Sequence, residues 1–159
     1  MGQTLAYFLA YFLTWTTYGT WLHGDKRGSV DRNNACHGME YLLPDPRRED
    51  ACRKLMKSPP VVLLPEQRHI IEQAIERHCD IRDWMLIAVN CRSNHIHVLV
   101  STDGTSPERV MNELKAYATR ALRQNRWNSE GKVWTRGGST RYIKSQASLE
   151  SAKQYVLFQ

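Results

Sequence analysis

Two histidines separated by one residue stand in the stretch SNHIHVLVST, residues 93–102. Side chains alternate across a β-strand, so His95 and His97 would point to one face while Ile96 and Val98 point to the other. Two imidazoles on one face, with Cβ atoms about 7 Å apart, can converge on one divalent ion, for which neutral imidazole is a good ligand. A pair of half-exposed polar strand residues explains the same pattern. A metal site also needs a third ligand from another element.

The residues that follow predict a helix over 106–126, with Ser106 as its N-cap and Pro107 at its first helical position. Tyr117 lies at one edge of the apolar stripe of this helix. A tyrosine with its ring in the core and its hydroxyl at a polar border is ordinary packing. If the helix lies behind the histidine strand, the Tyr117 hydroxyl also reaches the metal site. The stripe consists of Val110, Leu114, Ala118, Ala121 and Leu122.

The order of the remaining elements predicts a single α+β domain over 1–159. It is a ferredoxin-like (RRM-like) split βαβ fold, with helices packed on one face of an antiparallel sheet. The other face is then free for a ligand. The irregular insertion at about 24–60 is unusually long for a loop, which favours a functional role. The predicted elements are a strand at 6–18, a short helix near 47–57, a helix at 64–79, strands at 84–91 and 95–102, the helix at 106–126, a strand within 133–144 and a helix at 148–157.

Composition narrows the class of protein. The 159 residues suit one domain with a sizeable core. The chain has 22 Lys and Arg against 16 Asp and Glu, a net charge of +6, which favours an anionic partner such as nucleic acid. The four cysteines form no CxxC pair, which indicates reduced thiols in a cytoplasmic protein. The apolar stretch LAYFLAYFL is too short for a membrane span and lacks the flanks of a signal peptide, so we expect a buried strand and no membrane association.

Several motifs together resemble a known family. NHIHVLV resembles the histidine–hydrophobic–histidine (HUH) motif of single-tyrosine endonucleases, and a helix with a tyrosine downstream of it is where such transposases keep their nucleophile. The stretches YFLTWTTYGTWLHGD and VWTRGGSTRYIK, and the closing YV with Gln159, are similar to REP-associated tyrosine transposases and their insertion-sequence relatives. The resemblance covers nearly the whole chain, although residues 29–60 add little.

The resemblance implies a DNA transposase or endonuclease that acts on single-stranded DNA, usually folded as a hairpin. Such an enzyme cuts with a tyrosine, forms a 5′-phosphotyrosine and a free 3′-hydroxyl, and rejoins strands by the reverse attack. The resemblance implies Tyr117 as the nucleophile, His95 and His97 as ligands of Mg or Mn, and a homodimer. Because the ordinary pKa of tyrosine is about 10, nearby positive charge should assist its attack at neutral pH.

The third metal ligand and the nucleophile both stay open. Relatives often place Gln or Asn one turn after the tyrosine as a metal ligand, and Ala121 occupies that position after Tyr117. Glu113, one turn before, and Gln124, two turns after, are the possible substitutes on the same border of the helix. Tyr142, on a predicted strand, is a competing nucleophile.

Basic residues cluster at 115–126 and at 132–144, interleaved with aromatic residues. On one surface they would offer phosphate contacts and stacking platforms for unpaired bases. A solvated helix face and core aromatics explain the same clusters. The candidates for DNA contact are Lys115, Arg120, Arg123, Arg136, Arg141 and Lys144.

Two other functions remain open at this point. A non-catalytic nucleic-acid-binding module on the same fold needs neither paired histidines nor Tyr117, and HIHVLVST lacks the aromatic positions expected of an RNA-stacking strand. A metal-dependent hydrolase that attacks with bound water would not need Tyr117 either. A covalent protein–DNA adduct separates the three hypotheses, because only the transposase reaction forms one.

Overall fold

Four strands and four helices form the described part of the chain, which in this computed structural model comprises residues 9–29, 40–127 and 130–159. Residues 6–8 of the predicted first strand and residues 30–39 of the predicted insertion lie outside the described residues. In chain order the elements are β1 (Ala10–Thr16), α1 (Pro46–Lys54), α2 (Pro65–Ile81), β2 (Met85–Cys91), β3 (His95–Ser101), α3 (Pro107–Gln124), β4 (Ser139–Ile143) and α4 (Gln146–Phe158).

Small polar residues set the start of the two helices that matter for the site. The Ser106 side chain accepts a hydrogen bond from the backbone N–H of Arg109 at the start of α3. The Ser145 side chain accepts one from the N–H of Ser148 at the start of α4. The first N–H groups of a helix have no partner within it, so a serine at this position stabilises both starts.

The sheet is antiparallel with the strand order β2–β3–β1–β4, so β1 and β3 are central and β2 and β4 are edges. In the register of β1 and β3, Thr14 lies opposite His97 and Thr16 lies opposite His95. The histidine strand is therefore in the middle of the sheet, with hydrogen-bonded neighbours on both sides. Its side chains can therefore project only from one face of the sheet or from the other.

The larger core lies between one face of the sheet and the pair α2 and α3. The apolar stripe predicted for 106–126 is the side of α3 that is buried there. Alternate residues of the two central strands supply the opposing surface. These strand residues are Tyr11, Leu13 and Trp15 from β1 and Ile96, Val98 and Val100 from β3.

A smaller core lies on the opposite face, under α4. The buried residues of α4 are Ala152 and Val156, which lie one turn apart. They pack on side chains that alternate with those of the larger core. The smaller core contains Ala10, Phe12, Ala88, Leu99, Ile143, Ala152 and Val156.

The predicted α+β fold with an antiparallel sheet is confirmed, and α2 and α3 share one face as expected. The helix α4 instead covers part of the face that was expected to be free. Its apolar residues Ala152 and Val156 pack there on the side chains around Phe12 and Leu99. The single domain over 1–159 and the cytoplasmic location stay predictions. Within the described ranges, every helix is too short or too polar to cross a bilayer.

Candidate active site

His95 and His97 lie on the face of the sheet that α4 partly covers. Ile96 and Val98, which alternate with them, point into the larger core on the other face. The centroids of the two imidazole rings are 4.8 Å apart. The two rings therefore share one face, as strand alternation predicts, and are close enough to bind a single ion.

A neighbouring side chain orients each imidazole ring through its Nδ1 atom. Nδ1 of His97 lies 2.8 Å from Oγ1 of Thr14 on the adjacent strand. Nδ1 of His95 lies 2.8 Å from the amide oxygen of Asn94. Because an amide oxygen only accepts, the His95 proton sits on Nδ1 and its Nε2 keeps a lone pair. With Nδ1–H donating to Thr14, His97 has the same form, which is how metal-binding histidines are usually held.

Burial lowers the pKa of both imidazoles. The pKa of His97 falls to about 4, through burial first and then through the adjacent His95. The pKa of His95 is lowered by burial and then by the positive charges of Arg92 and Arg27. Both rings are therefore neutral at pH 7, which is the form that binds a divalent cation.

Tyr155, on α4, stands beside the histidine pair. Its ring centroid lies 5.3 Å from that of His97 and 5.9 Å from that of Phe12, and 46% of its surface is exposed. Gln159 follows one helical turn later, so it lies on the same side of α4, and its side chain raises the pKa of His97 against the larger effect of burial. The site combines two neutral imidazoles, an amide and an accessible phenol.

Tyr117 lies on the other side of the sheet from the histidines. Its ring stacks on His78 of α2, with centroids 3.9 Å apart. The helix α3 packs against the face of β3 that carries Ile96, so the sheet separates Tyr117 from His95 and His97. The predicted approach of Tyr117 to the histidine pair is wrong. The apolar stripe of α3 is drawn to the larger core, whereas the histidines alternate away from it.

The other candidates for nucleophile and third ligand also lie away from the histidines. Tyr142 lies opposite Tyr11 in the pairing of β1 and β4, on the face of the larger core, and the centroids of the two rings are 5.2 Å apart. Glu113 bonds to Nε2 of His78 at 2.9 Å, within the α2–α3 interface. Gln124 ends α3 on the same side of the sheet and is exposed. Among residues 9–29, 40–127 and 130–159, no group of three or more His, Cys, Asp or Glu is placed to hold a metal ion.

Lys115 is buried, which contradicts its predicted contact with DNA. Its ammonium group donates to the backbone carbonyl of Thr135 at 3.0 Å and to that of Gly137. Burial lowers the pKa of Lys115 to about 8. The side chain therefore ties α3 to the segment before β4 and is not available to a phosphate.

The remaining basic candidates are divided between the two sides of the sheet. Arg120 and Arg123 line a shallow groove on the outer side of α3, away from the histidines. Arg141 pairs with Phe12, and its Cζ atom lies 6.0 Å from the Phe12 ring, which places it on the histidine face. Arg141 is thus the candidate for a phosphate contact beside the site. The exposed residues that flank β4 are Arg136 and Lys144.

Neither Tyr155 nor Gln159 is among the residues predicted for the site, although the sequence contains a signal for them. The stretch QYVLFQ, residues 154–159, places a glutamine four residues after a tyrosine within a predicted helix. This is the one-turn spacing that relatives often show and that Ala121 does not satisfy after Tyr117. If that spacing is required of each tyrosine in a predicted helix, it selects Tyr155.

Comparison with known proteins bears on the family and the fold of the chain. The sequence model of the family described as "Transposase IS200 like" matches residues 58–159, more than half of the chain. The fold is similar to that of a protein from Deinococcus radiodurans R1 named as a transposase, with a TM-score of 0.52 and 15% identity over 98% of this chain and 94% of that one. It is also similar to a REP-associated tyrosine transposase bound to a REP hairpin, with a TM-score of 0.53 and 13% identity over 98% of this chain and 70% of that one. No curated protein matches the chain significantly in sequence.

Proposed function

The chain belongs to the IS200-like transposase family, as its sequence resemblance predicts, and on that premise we propose that it cuts and rejoins single-stranded DNA with Tyr155 as the nucleophile. One observation carries the proposal: the ring centroid of an exposed tyrosine lies 5.3 Å from that of His97, and the His97 ring centroid lies 4.8 Å from that of His95. Tyr155 takes the role expected of Tyr117, because Tyr117 faces the other side of the sheet.

The residues His95, His97 and Gln159 fit a divalent ion, which by family resemblance is Mg or Mn. Partners at Nδ1 leave Nε2 as the ligand atom of each ring. The amide oxygen of Gln159, one helical turn after Tyr155, adds the oxygen donor that such ions favour. When bound, the ion neutralises negative charge on the non-bridging oxygens of a phosphate and orients it.

In the proposed reaction, Oη of Tyr155 attacks the phosphorus of a phosphodiester. The Oη–P bond forms with loss of the phenolic proton, and the P–O3′ bond breaks as the 3′ oxygen takes up a proton. The products are a 5′-phosphotyrosine and a 3′-hydroxyl. Attack by a 3′-hydroxyl reverses the step and frees Tyr155, so rejoining needs no nucleotide cofactor. Arg92, whose charge lowers the pKa of both histidines, places positive charge beside the site.

The proposed substrate is single-stranded DNA that carries a hairpin. A tyrosine transposase of similar fold is bound to a REP hairpin, and the net charge of +6 favours a polyanion. Arg141, over the Phe12 ring on the site face, is placed to contact a phosphate next to the one that Tyr155 attacks. The strand would then pass across the sheet between α4 and β4.

A homodimer is a further part of the proposal. The strands β2 and β4 form the edges of the sheet, and no other strand of the described residues extends it. An edge strand presents N–H and C=O groups that can pair with a second copy. We expect light scattering to give twice the 18.5 kDa of one chain. A measured mass of one chain, constant across micromolar concentrations, would exclude the homodimer and leave the rest of the proposal unchanged.

A covalent-adduct assay tests the proposed reaction. A pool of labelled hairpins with randomised single-stranded flanks is incubated with the protein and Mn or Mg, then resolved under denaturing conditions. We expect a protein–DNA band that EDTA abolishes. DNA binding without cleavage or adduct would instead favour a non-catalytic nucleic-acid-binding module. Cleavage without adduct would favour a metal-dependent hydrolase that uses water.

A further inference from the structure

Little apolar burial holds the end of α4 on the sheet. The buried side chains of this helix are the small residues Ala152 and Val156. Near its end, Leu157 is 46% and Phe158 78% exposed. Apolar contacts stabilise a helix position in proportion to the area they bury, so this turn needs other contacts to keep a fixed orientation.

Two polar contacts meet this need. The side-chain amide of Asn90 donates to the backbone carbonyl of Val156 at 2.7 Å. The guanidinium of Arg92 donates to the backbone carbonyl of Gln159. The last carbonyls of a helix have no partner within it, so these acceptors require donors from elsewhere. Asn90 and Arg92 supply them on either side of the turn that carries Tyr155 and Gln159.

The donors come from the strand and hairpin that hold the histidines. Asn90 lies directly opposite His97 in the pairing of β2 and β3. The backbone N–H of Arg92 donates to the carbonyl of His95 at 2.8 Å, closing the turn between the two strands. The hairpin of β2 and β3 therefore holds both parts of the site. It holds the histidines through the backbone hydrogen bonds between its strands. It holds the turn with Tyr155 through the side chains of Asn90 and Arg92.

Resting on the proposed function, we propose that Asn90 and Arg92 are positioning residues, which hold the last turn of α4 so that Tyr155 and Gln159 face the histidines. Asn90 acts through the backbone of α4 and has no role in binding DNA. Arg92 acts in the same way and also adds positive charge. A misplacement of about 1 Å at reacting atoms costs about 100-fold in rate, so a loosened α4 should slow adduct formation more than it weakens DNA binding.

The test uses the full chain with Asn90→Ala, Arg92→Ala and the double variant. Arg92→Lys keeps a donor and the charge, and Ser151→Ala, at an exposed position of α4, is the matched control. Three quantities are measured: hydrogen exchange of the α4 amides, the single-turnover rate of adduct formation at saturating DNA, and the Kd for DNA. Thermal unfolding shows whether any variant has lost its fold.

We expect exchange in α4 to rise about 5- to 10-fold for each lost hydrogen bond, while exchange in α3 stays unchanged. The adduct rate should fall about 10- to 100-fold in both alanine variants, with the Kd of Asn90→Ala unchanged and substantial recovery in Arg92→Lys. Unchanged α4 exchange in the double variant, or adduct rates within about twofold of wild type, would overturn the proposal. If the unmodified chain forms no adduct, the proposed function fails, and exchange alone still decides whether Asn90 and Arg92 hold α4.

Discussion

The two faces of the sheet each carry a histidine beside a tyrosine, and the two pairs differ in what surrounds them. On the side of α2 and α3, Tyr117 stacks on His78 at 3.9 Å, and His78 bonds to Glu113 at 2.9 Å. On the side of α4, Tyr155 lies 5.3 Å from His97. The residue types are nearly the same, so the difference must come from how accessible each pair is to a ligand.

In the pair between α2 and α3, the histidine is closed to a ligand. His78 is 3% exposed and its Nε2 is bonded to Glu113, while the Arg120 guanidinium lies 4.8 Å from the centroid of the Tyr117 ring. These contacts join two helices. The pair under α4 keeps an exposed phenol and a ring held at Nδ1, as the proposed binding of a metal ion and a phosphate requires. A histidine and a tyrosine in contact therefore indicate a site only where a ligand can reach them.

The two faces also differ in packing. Eight residues of α3 are buried, against two of α4. Buried apolar area is the main stabilising term in folding, so the face with α2 and α3 should determine stability. The face with α4 should determine activity. The variants below compare equivalent residues of the two faces.

The largest expected difference is between Tyr155→Phe and Tyr117→Phe. Tyr155→Phe removes the proposed nucleophile, so adduct formation should fall about a thousandfold or more. Tyr117→Phe keeps the ring that stacks on His78, so adduct formation should stay near wild type. Denaturing gels with the hairpin pool measure both.

The control for this pair is DNA binding, which neither change should affect, because each removes one hydroxyl and leaves the ring in place. Thermal unfolding should also be nearly unchanged in both proteins. An adduct that survives in Tyr155→Phe and disappears in Tyr117→Phe would reverse the roles given to the two faces.

The next comparison is His97→Ala with His78→Ala. His97→Ala should weaken Mn binding about 10- to 100-fold or more, since it removes a proposed ligand. His78→Ala should leave Mn binding unchanged but lower the free energy of unfolding by about 2–4 kcal/mol, because it opens a cavity and removes a partner of Glu113. Titration calorimetry and urea unfolding measure the two effects. Equal Mn affinity in His97→Ala and wild type would exclude His97 as a ligand.

The sequence predicts the fold and the histidine pair because both depend on local periodicity. Alternation in HIHVLVST places His95 and His97 on one face, and the spacing of Val110 and Leu114 shows which side of α3 is buried. These patterns do not show which face of the sheet each helix covers. That choice depends on how apolar strips far apart in sequence fit together.

Tyr155 was harder to predict for a related reason. It lies on a helix whose buried residues are Ala152 and Val156, so periodicity gives this helix a weak inward face. Tyr117 lies on a helix with a strong apolar stripe, so periodicity favours Tyr117 as the tyrosine of the site. The spacing from Tyr155 to Gln159 is a chemical signal and not a packing signal, and it is visible only when metal ligation is considered.

The third comparison is Gln159→Ala with Gln124→Ala, and its expected effect is smaller because water can replace an amide ligand. Gln159→Ala should weaken Mn binding about tenfold and slow adduct formation to a similar degree. Gln124, exposed at the end of α3, should be replaceable without effect on either quantity. Electron paramagnetic resonance of bound Mn detects the loss of a ligand directly. The reverse ranking of the two variants would return the third ligand to α3.

The smallest expected effect is a pH dependence of stability on the face with α2 and α3. Lys115 has a pKa of about 8 in the folded chain because it is buried, against an ordinary value of 10.5. Between these values the unfolded chain binds more protons, so the free energy of unfolding should rise with pH, and below pH 8 the dependence should vanish. Lys115→Met removes this titration and keeps most of the side-chain volume.

Two buried thiols act in the opposite direction above pH 9. Burial raises the pKa of Cys79 and of Cys91 to about 12, so the unfolded thiols ionise first and stability falls as pH rises. Both thiols are present in wild type and in Lys115→Met, so the difference between the two proteins isolates Lys115. From urea unfolding at pH 7, 8, 9 and 10, we expect wild type to gain about 1 kcal/mol relative to the variant between pH 8 and 10. Adduct formation, which belongs to the other face, should not follow this change. If the free energies of unfolding of wild type and Lys115→Met change with pH in parallel, the Lys115 ammonium is not desolvated. The larger core is then open to water where α3 meets the segment before β4.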